Sequence, residues 1–237
     1  MEQQTALCAN CGQPATTPYC GYCGKQVELK RITVSGMLHE AFHFFTRLDK
    51  GFPYTLKKLI TQPGILQRKY IAGERSLPQK PFSMFFLCAS FAAVSLYWIN
   101  SALIRYYDAG DSAEAHFFHK YWVLLQVSML PVYTAITCLF FRNSKKNYAE
   151  IMVLQLYLFS FLFVMLTAIH LLKFIVHDLQ TRYIELPAII LYSLISNVNF
   201  FQHQNRLSVV SRSVISIALS FLVASLLQDW LVSMINK

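Results

Sequence analysis

Charged residues are scarce in this chain. Asp, Glu, Lys and Arg make up 14% of its 237 residues, whereas a soluble globular domain carries about 25%. Hydrophobic residues reach 55%, and the mean hydropathy is +0.39. Too few charges remain to cover the surface of a soluble protein of this size, and the same figures exclude disordered, collagen-like and coiled-coil chains. The composition therefore predicts a membrane protein.

Long apolar runs are also missing from the first 80 residues, so we expect no cleavable secretory signal. Beyond Pro81 the sequence becomes apolar, in pieces long enough to cross a bilayer, which takes roughly 20 residues. The run at 186–201 is shorter and contains Asn197 and Asn199, which leaves open whether it crosses or only enters the membrane. The predicted spans are 82–104, 121–141, 151–176, 186–201 and 214–235.

The formal net charge of +9 raises the question of nucleic acid, but the distribution of the charges explains it differently. If all five segments cross, 16 of the 21 Lys and Arg residues lie on the same side as the N-terminus. Positive residues collect on the cytoplasmic side of membrane proteins. We therefore expect a cytoplasmic N-terminus, a C-terminus on the opposite side, and no nucleic-acid partner.

Between residues 29 and 80, basic residues alternate with apolar ones at helical spacing. Ser35–Leu48 predicts one amphipathic helix, a second follows Pro53, and a third ends near Gly73. Basic amphipathic helices next to a span commonly lie in the membrane interface and attract anionic lipid. The alternative is that they pack on the cytoplasmic ends of the spans, and the two arrangements are compatible.

Four of the six cysteines fall within the first 23 residues, in two CxxC pairs that are each followed by glycine. Cys8 and Cys11 form the first pair, and Cys20 and Cys23 form the second. Doubled pairs at this spacing are typical of a tetrahedral zinc site, while redox activity or two disulfides would fit a reducing cytoplasm less well. Since all four ligands would be cysteine, the predicted Zn²⁺ is structural.

The segment between Cys8 and Cys23 contains no Lys or Arg. Single zinc ribbons can hold nucleic acid, but that use requires positive charge near the phosphates. A nearly uncharged ribbon favours contact with a protein partner.

His39-Glu40-Ala-Phe-His43 matches HExxH, the pattern that places two zinc-binding imidazoles and a glutamate base on one helix face. A catalytic zinc usually needs a third protein ligand, and no other His or acidic residue follows at a recognisable spacing. Histidines beside an amphipathic face are also ordinary. His39, Glu40 and His43 are therefore candidate catalytic residues only for the alternative hypothesis of a metalloprotease-like enzyme.

Ionisable residues are nearly absent from the middle of the spans, where transporters and proton pumps place them. The interior polar groups are amides, including Gln155 and Asn197, which we interpret as hydrogen-bond partners between helices. Ser216, Ser220 and Ala224 repeat every four residues and predict a close approach of two helices. A small transporter remains a third hypothesis.

The head contains a distinctive order of motifs: the two CxxC pairs, Arg31–Thr33, Leu48–Phe52, Thr55, Leu59, Gln62–Gly64, Tyr70–Arg75 and Pro81. In this order the head resembles a family of bacterial membrane proteins with no assigned function, which carries an N-terminal zinc ribbon, a PG…Y..G.R…P segment and about five C-terminal spans. The spans match this family only in their general pattern. The resemblance implies a bacterial inner-membrane location but no activity.

These observations predict an all-α membrane protein. Residues 1–28 form a cytoplasmic four-cysteine zinc ribbon, 29–80 form basic juxtamembrane helices, and 81–237 form the transmembrane domain of about five helices. We expect an adaptor or accessory protein whose ribbon and basic helices contact a cytoplasmic or membrane protein partner at the lipid bilayer.

Overall fold

A computed structural model describes residues 6–24, 27, 33, 51–107, 113–176 and 179–235. Two short strands pair antiparallel near the N-terminus, with Ala6 opposite Ala15 and Leu7 opposite Pro14. Helices form nearly all the rest of the described chain. The strands are β1 (Ala6–Leu7) and β2 (Pro14–Ala15), and the helices are α1 (Phe52–Thr61), α2 (Ile65–Ala72), α3 (Pro81–Tyr107), α4 (Ala113–Phe140), α5 (Tyr148–Leu171), α6 (Arg182–Phe200) and α7 (Arg206–Ile235).

Five of these helices, α3 to α7, are long and apolar enough to cross a membrane. Each contains at least 19 residues in its apolar segment, which corresponds to about 28 Å at 1.5 Å per residue and matches a hydrocarbon core of about 30 Å. The chain is thus a multi-pass membrane protein by the length and composition of its helices. The expected all-α fold with about five spans is confirmed.

Helix α5 lies at the centre of the bundle. Its span is 67% buried, whereas no other span exceeds 44%. It packs against α3, α4 and α6, while α7 packs against α4 and α6. Its sequence explains the position, because apolar residues occur on every side of the helix. Leu154, Leu156 and Tyr157 point in three different directions from the helix axis, and all three are fully buried.

The start of α5 is defined by a capping box. The Asn147 side chain accepts a hydrogen bond from the backbone N–H of Glu150 at 2.7 Å, and the Glu150 carboxylate accepts one from the backbone N–H of Asn147 at 2.9 Å. Two N–H groups that have no partner within the helix are thereby satisfied. The central helix therefore begins at a well-determined residue.

Helices α1 and α2 form a layer on one end of the bundle, where they contact α5 and α6. Leu59, Leu66 and Tyr70 of this layer are buried in the same hydrophobic core as the spans. The apolar faces of α1 and α2 thus pack on the ends of the spans, which is the second of the two arrangements considered from the sequence. The helix predicted over Ser35–Leu48 lies outside the described residues.

The last two spans begin earlier than the sequence pattern indicated. Helix α6 starts at Arg182 rather than at Leu186, and Pro187 lies in its second turn. Helix α7 starts at Arg206 rather than at Val214. Polar residues at both starts obscured the boundaries, since the prediction depended on the apolar run alone.

Candidate metal centre

The two CxxC pairs form matching turns that bring four sulfur atoms together. In each turn the glycine after the pair donates its N–H to the carbonyl of the first cysteine, from Gly12 to Cys8 and from Gly24 to Cys20, both at 2.8 Å. Both glycines have a positive φ, of 73° and 69°. Glycine adopts this conformation without the cost that a Cβ would bring, so it suits the residue after each pair.

The sulfur atoms of Cys8, Cys11, Cys20 and Cys23 all lie within 4.8 Å of one another. The Cys8 and Cys23 sulfurs are 3.7 Å apart, and those of Cys11 and Cys20 are 3.5 Å apart. A tetrahedral zinc with Zn–S bonds of about 2.3 Å requires sulfur separations of about 3.8 Å. All six cysteines of the chain are free, so disulfides do not explain the proximity. The four cysteines could hold a metal ion.

The electrostatics of the cluster favour thiolates but oppose having all four charged at once. The backbone N–H groups of Asn10 and Cys11 lower the pKa of Cys8 to about 6. The pKa of Cys11 is nevertheless raised to about 12, since burial and the neighbouring sulfurs outweigh the backbone N–H of Gln13. A divalent cation would compensate this accumulation of negative charge.

The donor set leaves no position for a water molecule or a substrate. Tetrahedral sites with four sulfur ligands are closed and stabilise the fold, whereas catalytic zinc keeps one open position. Cys8 and Cys20 are 2% exposed and form a small core with Ala15 and Val27. A metal ion held by these four sulfurs would therefore stabilise the shape of the ribbon.

The ribbon contacts the remainder of the protein and also presents exposed apolar groups. Ser76, between α2 and α3, donates its hydroxyl to the side-chain oxygen of Asn10 at 2.9 Å. Leu7, Tyr19 and Tyr22 are 72%, 61% and 81% exposed. Aromatic side chains of this kind are enriched at protein interfaces, because they offer a large apolar area with a polar edge.

The candidate catalytic residues His39, Glu40 and His43 lie outside the described residues. No geometry therefore bears on the metalloprotease hypothesis.

The layer next to the ribbon carries the recognisable part of the sequence. Residues 49–92 match the family described as "Protein of unknown function (DUF3667)". No curated protein and no solved structure matches the chain. We call residues 51–92, the described part of this match, the matched segment. It comprises α1, α2 and the first half of α3.

Thr55 connects the start of α1 to the linker before α3. Its hydroxyl donates to the carbonyl of Gly51 at 2.9 Å and accepts the backbone N–H of Gln79 at 2.7 Å. Thr55 is fully buried, so both bonds form away from water, where an unpaired polar group is costly. A Cβ on Gly51 would lie 2.4 Å from the carbonyl oxygen of Leu77. The start of α1 is therefore held tightly against the linker that leads into α3.

Tyr70 and Tyr157 connect this layer to the central helix. Their rings meet edge to face with centroids 5.7 Å apart, and the Tyr157 hydroxyl donates to the carbonyl of Gln79. On the other side, Arg75 lies over the Tyr70 ring at 5.6 Å and donates to the Tyr70 carbonyl at 3.1 Å. These contacts give Tyr70 and Arg75 of the matched segment a structural role.

Helix α6 is attached to the layer by three close contacts. Tyr192 donates its hydroxyl to the carbonyl of Leu59 at 3.1 Å, and Asn199 donates its amide to the carbonyl of Pro63 at 2.9 Å. Gly64 touches α6 directly, since a Cβ there would lie 2.1 Å from the carbonyl oxygen of Ser196. Asn199 thus fastens α6 to the loop before α2.

Two buried glutamines were not anticipated from the sequence. The side chains of Gln67 and Gln79 are fully buried, and their amide atoms have no hydrogen-bond partner among the described residues. Glutamine is common on exposed helix faces, so nothing in the spacing distinguished these two from surface residues.

Proposed function

We propose that this protein is a membrane-anchored adaptor whose four-cysteine ribbon holds a structural Zn²⁺ and binds a protein partner at the cytoplasmic face of a bacterial inner membrane. The observation that carries the proposal is the closed four-sulfur cluster displayed next to a layer that is itself packed into the membrane bundle. A site without an open ligand position suits recognition rather than catalysis.

The surface of the ribbon supports a protein partner over nucleic acid. The segment from Cys8 to Cys23 carries no positive side chain, and phosphate binding depends on such charges. The exposed rings of Tyr19 and Tyr22 offer instead the kind of anchor that dominates protein interfaces.

The charge distribution supports the proposed orientation. The ribbon, the layer and the loop of Lys145 and Lys146 belong to the face that carries most of the Lys and Arg residues. A cytoplasmic location for this face agrees with the tendency of positive residues to remain inside, and a reducing compartment would keep the four thiols available for metal.

The metal is tested by elemental analysis of the purified full-length protein. We expect one zinc per chain in the wild type and its loss in Cys8→Ser, because three thiolates and a hydroxyl hold zinc far more weakly. Cys138→Ser removes a thiol outside the ribbon and serves as the control that keeps its zinc. Iron in place of zinc, or zinc retained in Cys8→Ser, would contradict the proposed site.

The partner is tested by affinity purification in mild detergent. We expect a stoichiometric protein that is lost both from Cys20→Ser and from Tyr22→Ala, the second of which leaves the four sulfurs in place. Tyr97→Ala, which changes a half-exposed ring on α3, is the matched control and should retain the partner. Capture that survives both ribbon variants would place the interface elsewhere and refute the adaptor role of the ribbon.

A further inference from the structure

A cavity of about 470 Å³ lies between α4, α5, α6 and α7. Because α4 and α6 each pack against both α5 and α7, the cavity occupies the space that remains between α5 and α7. Along α6 its lining extends from Arg182 to Asn197, which is about 22 Å at 1.5 Å per residue. We call the end near Asn197 the floor and the end near Arg182 the mouth.

The floor is lined by uncharged hydrogen-bonding groups. Gln155 donates its amide to the Thr137 hydroxyl at 2.7 Å, and that hydroxyl is 3.5 Å from the hydroxyl of Ser216. The contact closes the cavity between α4 and α7. These three residues and Asn197 are all at least nine-tenths buried.

Asn197 adds a buried amide at the floor. The residue lines the cavity and is 4% exposed, and its Oδ1 has no hydrogen-bond partner within the part of the chain that the structure describes. That oxygen is buried from the cavity as well as from the protein surface, so it is not a contact for a molecule at the floor.

The walls of the cavity combine polar and apolar side chains. Ser216 and Ser220 of the predicted small-residue repeat line the α7 wall, and Phe221 lines it beside them. The α5 wall opposite carries Leu162 and Phe163. A molecule with both hydrogen-bonding groups and some apolar surface fits such a passage.

Among the residues that the structure describes, charged side chains line only the mouth. They are Arg182, Glu185 and Asp229, and the imidazole of His170 lies 3.4 Å from the Glu185 carboxylate. An ion at the floor would lose its hydration without meeting an opposite charge, which is strongly unfavourable inside a membrane. An uncharged molecule could exchange its bonds with water for bonds to the lining.

We propose that this cavity is a binding site for a small uncharged molecule rich in hydroxyl or amide groups, which enters at the mouth. Its volume falls within the roughly 300–1,000 Å³ of typical ligand sites. The mouth is at the opposite end of α6 from the contacts with α1 and α2, so the site is separate from the ribbon and does not depend on the adaptor proposal.

Cysteine modification of the full-length protein in lipid nanodiscs tests the site. Ser216→Cys probes the floor, Ser220→Cys the wall and Gln228→Cys the mouth. Leu222→Cys is the matched control, because Leu222 is on the same helix, 54% exposed, and absent from the lining. Three methanethiosulfonates serve as probes, one uncharged with a hydroxyethyl group, one anionic and one cationic, and mass spectrometry of the labelled peptide measures each rate.

We expect the hydroxyethyl reagent to modify the Ser216 and Ser220 variants at least about tenfold faster than the Leu222 variant, since a thiol facing lipid does not ionise. For each reagent, the rate at Ser216→Cys is divided by the rate at Gln228→Cys. We expect this ratio to be at least about tenfold lower for the charged reagents than for the uncharged one. The hydroxyethyl rate at Ser220→Cys should also level off with concentration, because reversible binding precedes attack.

Three outcomes would overturn the proposal. Equal rates at Ser220→Cys and Leu222→Cys would show that the cavity is not accessible from water. Charged reagents that react as readily at the floor as at the mouth would remove the preference for uncharged molecules. A rate at Ser220→Cys that stays proportional to reagent concentration would show passage without binding. If Ser216→Cys does not fold, the first and third outcomes can still be measured with Ser220→Cys.

Discussion

Gly51 and Gly64 occupy positions where a larger residue would collide with backbone. At Gly51 the obstacle is the linker before α3, and at Gly64 it is the last turn of α6. Backbone atoms cannot move aside as the end of a flexible side chain can. Gly51 therefore determines how closely α1 approaches the linker, and Gly64 determines how closely the layer approaches the bundle.

Gly64→Ala should strongly destabilise the membrane domain. Gly64 has a φ of +79°, and adding the strain of that conformation to the collision with Ser196 gives a loss of about 2–5 kcal/mol in the free energy of unfolding. Thermal unfolding in detergent, followed by tryptophan fluorescence, measures the change because all three tryptophans lie in α3, α4 and α7.

The matched control is Gly24→Ala. Gly24 has a similar φ of +69°, but nothing lies within 4 Å of the added Cβ. We expect only the conformational cost, about 1–2 kcal/mol, and we expect it in the ribbon. If both variants lowered the unfolding temperature of the membrane domain equally, the close contact between Gly64 and α6 would be wrong.

Tyr157→Phe should weaken the attachment of the layer to the central helix. The side chain is fully buried, so removing its hydroxyl leaves the Gln79 carbonyl without that donor and costs about 1–3 kcal/mol. The same thermal unfolding measurement applies. Tyr97→Phe, at a ring that is 45% exposed, should change the unfolding temperature very little, and a similar loss in both variants would contradict the role of the Tyr157 hydroxyl.

At the scale of elements, α5 organises the bundle because it is buried on nearly all sides. The layer, α3, α4 and α6 pack against this one helix, so its position along its own axis sets the register of its neighbours. The capping box at Asn147 and Glu150 determines where the helix starts. Loss of this cap should therefore lower the stability of the whole membrane domain and not only that of the first turn of α5.

Asn147→Ala should lower stability by about 1 kcal/mol, the usual cost of losing a side-chain cap. Asn147→Asp retains an oxygen acceptor and should remain close to the wild type. Asn143→Ala removes a nearby exposed amide outside the cap and is the control. Chemical denaturation in mixed micelles gives the three values, and an Asn147→Ala variant as stable as Asn143→Ala would show that the cap contributes nothing.

At the scale of the whole molecule, the number of spans determines the expected topology: if α3 to α7 all cross the membrane, the segments before α3 and after α7 lie on opposite faces. The described structure supports five rather than four, because α6 is a continuous helix of 19 residues that starts before the apolar run. The earlier start supplies the length that 186–201 alone lacked. The ribbon and the mouth of the cavity consequently lie at opposite ends of the bundle.

Reporter fusions after Lys237 should place the C-terminus outside the cytoplasm. We expect alkaline phosphatase at that position to be active and green fluorescent protein to be dark, since the first needs an oxidising compartment and the Lys and Arg distribution favours a cytoplasmic N-terminus. Fusions in the loop after Phe141 should show the opposite pattern. A fluorescent fusion after Lys237 would refute the five-span orientation.

The sequence alone was sufficient for the features that depend on residues close together in the chain. Two CxxC pairs followed by glycines predicted the sulfur cluster, because the spacing of Cys8 and Cys11 by itself brings both thiols to one point. Apolar runs of sufficient length predicted the spans, because crossing a bilayer requires them whatever the neighbours are. Their ends were less predictable, since polar residues such as Arg182 and Arg206 can continue a helix beyond its apolar part.

Only the tertiary structure decided which distant residues meet. Tyr157 reaches the Gln79 carbonyl across 78 residues, and Asn199 reaches Pro63 across 136, and no local spacing records such pairs. The same is true of the polar cavity. Ser220 and Asn197 were consistent with close helix packing when considered one helix at a time. They border a cavity because α5 and α7 are held apart by α4 and α6, which is a property of four packed helices and of no single segment.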